Sequence, residues 1–249
     1  PKILHCVTMK GKGYEPAEKG SPTKWHAPGL FNKETGEIVK VVPKSPQPPL
    51  YQDVFGHTII ELAEKNEKIV GVTPAMPSGC SLKFMMEAMP DRAFDVGIAE
   101  QHAVTAATGM ALSGLRPVVA LYSTFLSRAW DQVVYDVALH KAPVIFCLDR
   151  AGITGDDGPS HHGVYDMALL AKVPGMRVLA PSSAQDLQQM LHDAFTLVND
   201  GPVVIRYPKG VVRNVEPTDI GSGLLARELR TSANKKVCIL AIGKMVGNA

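Results

Sequence analysis

From Tyr51 onward the spacing of apolar residues switches back and forth between a helical and an extended rhythm. Phe55, Ile59, Leu62 and Ala63 share one helix face, and the run IVGVTP at 69–74 then reads as a buried strand. LKFMMEAM (82–89) predicts a short helix, AFDVGIA (93–99) a strand, residues 100–113 a helix, and RPVVALYS (116–123) another strand. The alternation continues with a helix at 125–140, a strand in APVIFCLD (142–149), a Gly- and Asp-rich loop at 151–163 and a short helix. A strand in RVLAPS (177–182), a helix at 184–198 with Leu187, Met190, Leu191, Ala194 and Phe195 on one face, and a strand in PVVIRYP (202–208) complete it. Strands that are apolar almost throughout, separated by helices, predict a mostly parallel sheet covered on both sides. The fold class is doubly wound α/β, over residues 51–215.

The flanks read differently. Residues 1–9 cluster apolar side chains like a strand, and the stretch from Lys10 to Phe31 is rich in Gly and Pro with three aromatics. Residues 32–50 carry several prolines and little helical period, which predicts a linker. KKVCILAIGKMVGNA (235–249) reads as the first strand of a new unit. Residues 1–50 are therefore expected to be the tail of a preceding domain plus linker, and 216–249 the start of a following one, so that the chain is an internal segment of a longer protein.

Charge and cysteine content remove several function classes. The formal net charge is only +2 and no Lys/Arg cluster tracks a phosphate backbone, so nucleic acid is not an expected partner. Cys6, Cys80, Cys147 and Cys238 lie far apart without metal-ligand spacing, and two of them sit in apolar strand-like runs. They are expected to be reduced core thiols in a reducing compartment. No apolar stretch approaches the roughly 20 residues of a membrane span, and nothing resembles a signal peptide, so no membrane partner is expected.

Open parallel sheets bind ligands beyond the carboxyl ends of their strands. The polar residues predicted there are Thr73, Glu100, Tyr122, Ser123, Thr124, Asp149, Arg150, Ser182, Arg206 and Tyr207. Glu100 opens a helix, whose dipole favours the anion, among Ile98, Ala99, Ala103 and Val104, which favour the neutral acid. Such a carboxyl suits proton sharing, although a simple helix cap fits the same spacing. Arg150 and Arg206 suit a fork for phosphate or carboxylate, or ion pairs with helix acids such as Asp186 or Asp193. The loop DRAGITGDDGPSHHG (149–163) combines glycines, acids and paired histidines suited to proton transfer, and reads equally as a polar surface loop. Adjacent His161 and His162 do not make a metal site without further ligands, so no metal is expected on this chain. The GDD in this loop is not followed by the asparagine that a thiamine enzyme's magnesium motif needs. His26 lies in a loop without core period, where a histidine is solvated or packed unless the loop closes over a site.

The segments KGKGYEPAE, WHAP, VTPAMPSG, IAEQHAV, YSTFLSRAWDQ, DRAG, GDDG, HHG and IRYPKG, in this order across nearly the whole chain, resemble the 1-deoxy-D-xylulose-5-phosphate synthase family. These are thiamine-diphosphate enzymes of the transketolase-like group. The Ala-Glu-Gln patch alone would also suit a transketolase-type enzyme or a 2-oxo-acid dehydrogenase β-like subunit, whereas WHAP, PAM and the DRAG–GDDG–HHG series resemble the synthase. The resemblance implies a transferase that condenses pyruvate, with loss of CO2, with D-glyceraldehyde 3-phosphate, giving a product that feeds isoprenoid, thiamine and pyridoxal synthesis. It implies a cytoplasmic or plastid homodimer needing thiamine diphosphate and Mg2+, with the magnesium ligands in a diphosphate-binding domain that ends within residues 1–50. Glu100 would hydrogen-bond the cofactor's pyrimidine nitrogen and promote its imino tautomer. Phe125 would stack on that ring and Tyr14 touch the cofactor. Tyr122, Arg150 and Arg206 would hold the acceptor, the arginines on its phosphate; Arg128 would be a further site arginine of unassigned role. His26, Asp157 and His161 would line the substrate channel.

Overall fold

The computed structural model describes residues 1–26, 28–39, 45–234 and 236–249. It comprises two compact units, Pro1–Gln47 and Pro48–Ala249.

In the first unit two helical turns, α1 (Glu15–Glu18) and α2 (Pro22–Trp25), bring three aromatics together. Tyr14 and Phe31 each lie against Trp25 with ring centroids 5.2 Å apart and ring planes nearly perpendicular, the edge-to-face arrangement that ring quadrupoles favour. Phe31 pairs with Ile38 across a turn in which the Asn32 side chain accepts from the N–H groups of Glu34 and Thr35. Residues 1–9 do not form the strand their apolar pattern suggests. Ile3, Leu4 and Val7 are exposed, and no neighbouring strand among the described residues takes up their backbone groups. Part of the expected linker, residues 40–44, lies outside the described residues.

The second unit begins with α3 (Tyr51–Lys65), followed by β1 (Ile69–Thr73), α4 (Lys83–Ala88), β2 (Ala93–Asp95), α5 (Glu100–Leu112) and β3 (Arg116–Tyr122). After a helical stretch come β4 (Ile145–Asp149), α7 (Asp166–Leu170), β5 (Arg177–Leu179), α8 (Ala184–Leu197) and β6 (Val203–Arg206). All six strands are parallel, in the order β2-β1-β3-β4-β6-β5. Alternate strand residues feed opposite layers. Val118, Ala120, Ile145 and Cys147 pack with α3 and α8, while Val119, Leu121, Phe146 and Leu148 pack with α5 and the helical stretch after β3. Near-continuous apolar strands are thus what a sheet buried on both faces requires.

The stretch after β3 is helical, as expected, but not one α-helix. It runs as 3₁₀ turns over Ser123–Ala129, a single α turn α6 (Trp130–Gln132) and a π segment Val133–Ala138. Buried Leu126, Ala129, Val133 and Val137 are spaced by three residues in the tight part and four in the wide part, which keeps one stripe on the sheet. The strand expected over 93–99 stops at Asp95, whose Oδ1 accepts from the N–H groups of Ala75 and Gly97 and turns the chain out of the sheet. Residues 236–242 form no strand: Val237, Ile239 and Leu240 are exposed. Only Cys80 and Cys147 are core thiols, while Cys6 and Cys238 are exposed because both apolar runs that contain them lack a sheet to join. Among the described residues no helix is long and apolar enough to cross a membrane.

Gly56 sets how closely α3 approaches the loop before α4. A Cβ there would lie 2.6 Å from the Ser81 carbonyl oxygen and 2.7 Å from the Phe84 ring. Gly56→Ala gains about 1 kcal/mol of helix propensity and loses about 1–3 kcal/mol to overpacking against backbone. The expected outcome is a lower unfolding midpoint by circular dichroism; an unchanged or raised midpoint would show that the loop yields.

Candidate active site

The strand order reverses twice. The chain steps from β1 outward to β2 and then returns to β3 on the other side, and β6 inserts between β4 and β5. Loops therefore diverge beyond the carboxyl ends of β1/β3 and of β4/β6, leaving crevices where such sheets take ligands. Tyr122 and Asp149 are register partners at the ends of β3 and β4, and Arg206 pairs with Leu148, two residues before Arg150.

Glu100 is the first residue of α5 and is 2% exposed. It is not a cap: Ala99 occupies that position, with no side-chain cap bond. Instead its Oε2 accepts from Arg128 Nη1 at 2.7 Å, and Oε1 has no hydrogen-bond partner among the described residues. Arg128, of no assigned role in the sequence, thus ties the start of α5 to the 3₁₀ segment that carries Phe125. The Phe125 ring stacks on Tyr122 at 5.9 Å and meets the edge of His161 at 5.4 Å.

Arg150 is 8% exposed and adopts φ +58°, a left-handed conformation that an arginine holds only when its surroundings enforce it. The enforcing contacts are visible. Asp149 Oδ1 accepts from the Arg150 backbone N–H at 2.5 Å and Oδ2 from Nη1 at 2.9 Å, while Nη1 also donates to the Gly79 carbonyl and to Gln52. The guanidinium lies 3.9 Å above the Tyr122 ring. Burial pushes the Asp149 carboxyl up to about 7, against the opposing pull of Arg150. Burial likewise pushes the Tyr122 hydroxyl up to about 12, again against Arg150. For Asp157 burial works the same way but is outweighed by the Lys209 ammonium at 2.6 Å, with help from Arg150 and His161, so its carboxyl is held below the usual range.

Arg206 Nε donates to Asp166 Oδ2 at 2.7 Å, and the Asp166 side chain is 1% exposed. Both expected arginines thus lie at adjacent strand ends, each paired with an acid. The acids are not Asp186 or Asp193, which were the candidates by sequence: Asp186 instead binds Ser182 and the N-terminus of α8. Ser123, Thr124, Ser127, His162, Tyr165 and Asp166 line a cavity of about 150 Å³ behind the Phe125 segment. His161 bonds the Ser160 hydroxyl at 2.9 Å, and His162 bonds Thr154 at 2.9 Å, so the paired histidines face different neighbours. Gly152 and Gly163 exchange two backbone hydrogen bonds of 2.8 and 2.9 Å, closing the loop at its neck. A Cβ on Gly163 would lie 2.5 Å from the Arg150 carbonyl oxygen.

Glu100, Arg128, Phe125, Tyr122, Arg150, Asp157, His161 and Arg206 therefore occupy one edge of the second unit. Tyr14 and His26 belong to the first unit, where the Tyr14 hydroxyl is buried with no hydrogen-bond partner among the described residues and His26 is exposed. Asp166, Lys209 and Gln52 were not singled out from the sequence, because each acts through a partner more than 39 residues away in the chain. No group of three or more potential metal ligands occurs among the described residues.

A parallel sheet in this order, with its polar side chains gathered at the carboxyl edge of the strands, defines a doubly wound α/β ligand-binding domain. Residues 47–215 match the model of the transketolase pyrimidine-binding domain, and the chain belongs to that family. It is 55% identical over its whole length to the 1-deoxy-D-xylulose-5-phosphate synthase of Cytophaga hutchinsonii, spanning 39% of that protein. It is also 56% identical to the Parabacteroides distasonis synthase, over 84% of the chain and 33% of the relative. Similarity extends to the Chlorobaculum tepidum synthase, 48% identical over the whole chain and 39% of that relative. The chain thus spans between a third and two fifths of the length of these relatives. Among solved structures, a split-gene transketolase described as an inactive β4 tetramer matches with TM-score 0.61 and 28% identity, over 70% of this chain and 56% of the other. A Pichia stipitis transketolase shares the fold, with TM-score 0.58 and 17% identity over 68% of this chain and 27% of that one.

The Asp166–Arg206 pair gives a stability prediction. Asp166→Leu should lower stability by about 2–4 kcal/mol because the partly buried Arg206 is left unpaired, whereas Asp166→Leu with Arg206→Met should recover most of the loss. Denaturant midpoints of both variants check this; a double variant no better than the single one would assign the loss to packing instead.

Proposed function

We propose that the full-length protein is a 1-deoxy-D-xylulose-5-phosphate synthase and that this chain supplies the pyrimidine-binding half of its active site. The observation that carries the reading is the buried Glu100 at the head of α5, in a chain whose relatives bearing that name are about half identical to it. A buried carboxylate with one free oxygen, next to a half-buried aromatic segment, fits a heteroaromatic ring that needs both a hydrogen-bond acceptor and a stacking face. Thiamine diphosphate, when bound, supplies a carbanion nucleophile. Glu100 then holds the proton shared with the ring nitrogen, Arg128 fixes the carboxylate's orientation, and Phe125 covers the ring. Arg150 and Arg206 bind the phosphate of D-glyceraldehyde 3-phosphate, and Tyr122 supports Arg150 from below. Asp157 and His161 stand in the loop above, placed to pass protons to and from pyruvate-derived atoms.

In this reading residues 1–50 end the diphosphate-binding domain and 216–249 open the third domain, and the working enzyme is a homodimer. Magnesium and the diphosphate are assigned to sequence that the longer relatives carry beyond the matched part. The chain alone should then be inactive, as the solved split-gene transketolase is described to be.

Product analysis of the full-length protein with pyruvate and D-glyceraldehyde 3-phosphate tests the activity; ketol transfer between sugar phosphates instead would reassign it. Glu100→Gln should keep the fold and reduce turnover by roughly a hundredfold or more, and unchanged turnover would remove Glu100 from the chemistry. Arg150→Lys or Arg206→Lys keeps the charge that the buried acids need and loses the planar two-point contact. Each should raise KM for the phosphate substrate about tenfold or more, with the pyruvate KM nearly unchanged. The opposite split would exchange the roles.

A further inference from the structure

The cation at the end of β4 sits in a nest without net charge. Asp149 is fully buried, and Arg150 neutralises it through both the backbone N–H and Nη1. The other ionisable groups facing the pair are Tyr122 on β3, Cys80 in the loop before α4, Tyr207 after β6, Asp157 in the loop 151–163 and, paired to Asp157, Lys209. Burial raises Tyr122, Cys80 and Tyr207, which leaves them neutral near pH 7. Two cations, Arg150 and Lys209, therefore face two carboxylates, Asp149 and Asp157.

Arg150 nevertheless keeps unused donors. Among the described residues its side-chain hydrogen bonds all leave from Nη1, and the buried Nε is taken up by its ion pair with Asp157 Oδ2 at 3.4 Å, which leaves Nη2 unused. A dianion seated on the Nη2 side of the guanidinium adds two negative charges close to the Asp149 carboxylate, whose one close cation among the described residues it then shares. Water and salt screen little at such depth, and a carboxyl in that position relieves the imbalance by taking a proton. We propose that an oxyanion bound to Arg150 is taken up together with one proton, which comes from solvent and resides on the carboxyl of Asp149. The inference rests on Arg150 as an anion-binding residue and concerns what that binding is coupled to.

The coupling falls in an accessible range, since burial already places Asp149 at about 7. Below that value the carboxyl carries its proton before the anion arrives and none is taken up. Above it, the anion raises the value further and a proton must follow. Affinity is thus full below about pH 7 and declines as pH rises, by at most about tenfold per unit for one proton.

Sulfate serves as the probe on the full-length protein, because it remains a dianion near neutrality and brings no titrating proton. Titration calorimetry at pH 7.5, in two buffers of different ionisation enthalpy, reads the protons bound. The expected result is uptake approaching one proton, a sulfate affinity falling about five- to tenfold between pH 7 and pH 8, and loss of both in Asp149→Asn. Equal heats in the two buffers, an affinity that does not fall as pH rises from about 6 to about 9, or a fall that persists in folded Asp149→Asn overturns the proposal. The wild-type profile decides even where Asp149→Asn does not fold. Arg150→Lys separates the two levels: if it leaves sulfate affinity unchanged, the anion-binding reading fails and takes this inference with it. If it weakens sulfate while wild type takes up no proton, only the coupling fails.

Discussion

Parallel pairing of all six strands is the constraint on which the rest of this protein depends. A parallel neighbour is reached only by crossing the sheet, so every connection carries the chain from one edge back to the other. All segments that follow a strand must then leave from the same edge. Helices laid over both faces bury the strands almost completely, as the alternate packing of Val118 through Leu121 shows. Polar chemistry is left with nowhere to gather except where the strands end, and that is where Glu100, Tyr122, Asp149, Arg150 and Arg206 are found.

At that edge the fold does not merely display charges; it balances them in depth. Each arginine is backed by an acid that is 0–6% exposed, Asp149 behind Arg150 and Asp166 behind Arg206. A lone buried arginine would carry a desolvation cost that few contacts offset, and a lone buried aspartate more so. Paired, both hold fixed geometry with donors left over. Glu100 and Arg128 follow the same logic with the cation farther out, since Arg128 reaches in from solvent to the buried carboxylate.

The alternation of helix and strand between Tyr51 and Tyr207 was legible because a two-sided parallel sheet writes itself as runs of apolar residues at fixed intervals. Boundaries were less so: the change from 3₁₀ to α to π along 123–138 leaves the apolar stripe intact and therefore leaves no trace in its period. The same rule misled at both flanks, where residues 1–9 and 236–242 have the composition of strands without a neighbour to pair with. In the site, the residues at strand ends could be collected from the sequence, and the family resemblance suggested their roles. Their partners could not, because Asp166 meets Arg206 and Lys209 meets Asp157 across spans that only the folded chain closes.

The neck formed by Gly152 and Gly163 separates two kinds of sequence freedom. Reciprocal hydrogen bonds make the ten residues between them a closed lobe, tethered at a point where any side chain on Gly163 would collide with the Arg150 carbonyl and the Ser123 side chain. Residues of such a lobe other than Asp157 and His161, which reach back to the site, can drift without moving its base. A family of proteins built on this plan can therefore retune what passes above the site, by editing the lobe, while the cation beneath it stays where β4 put it.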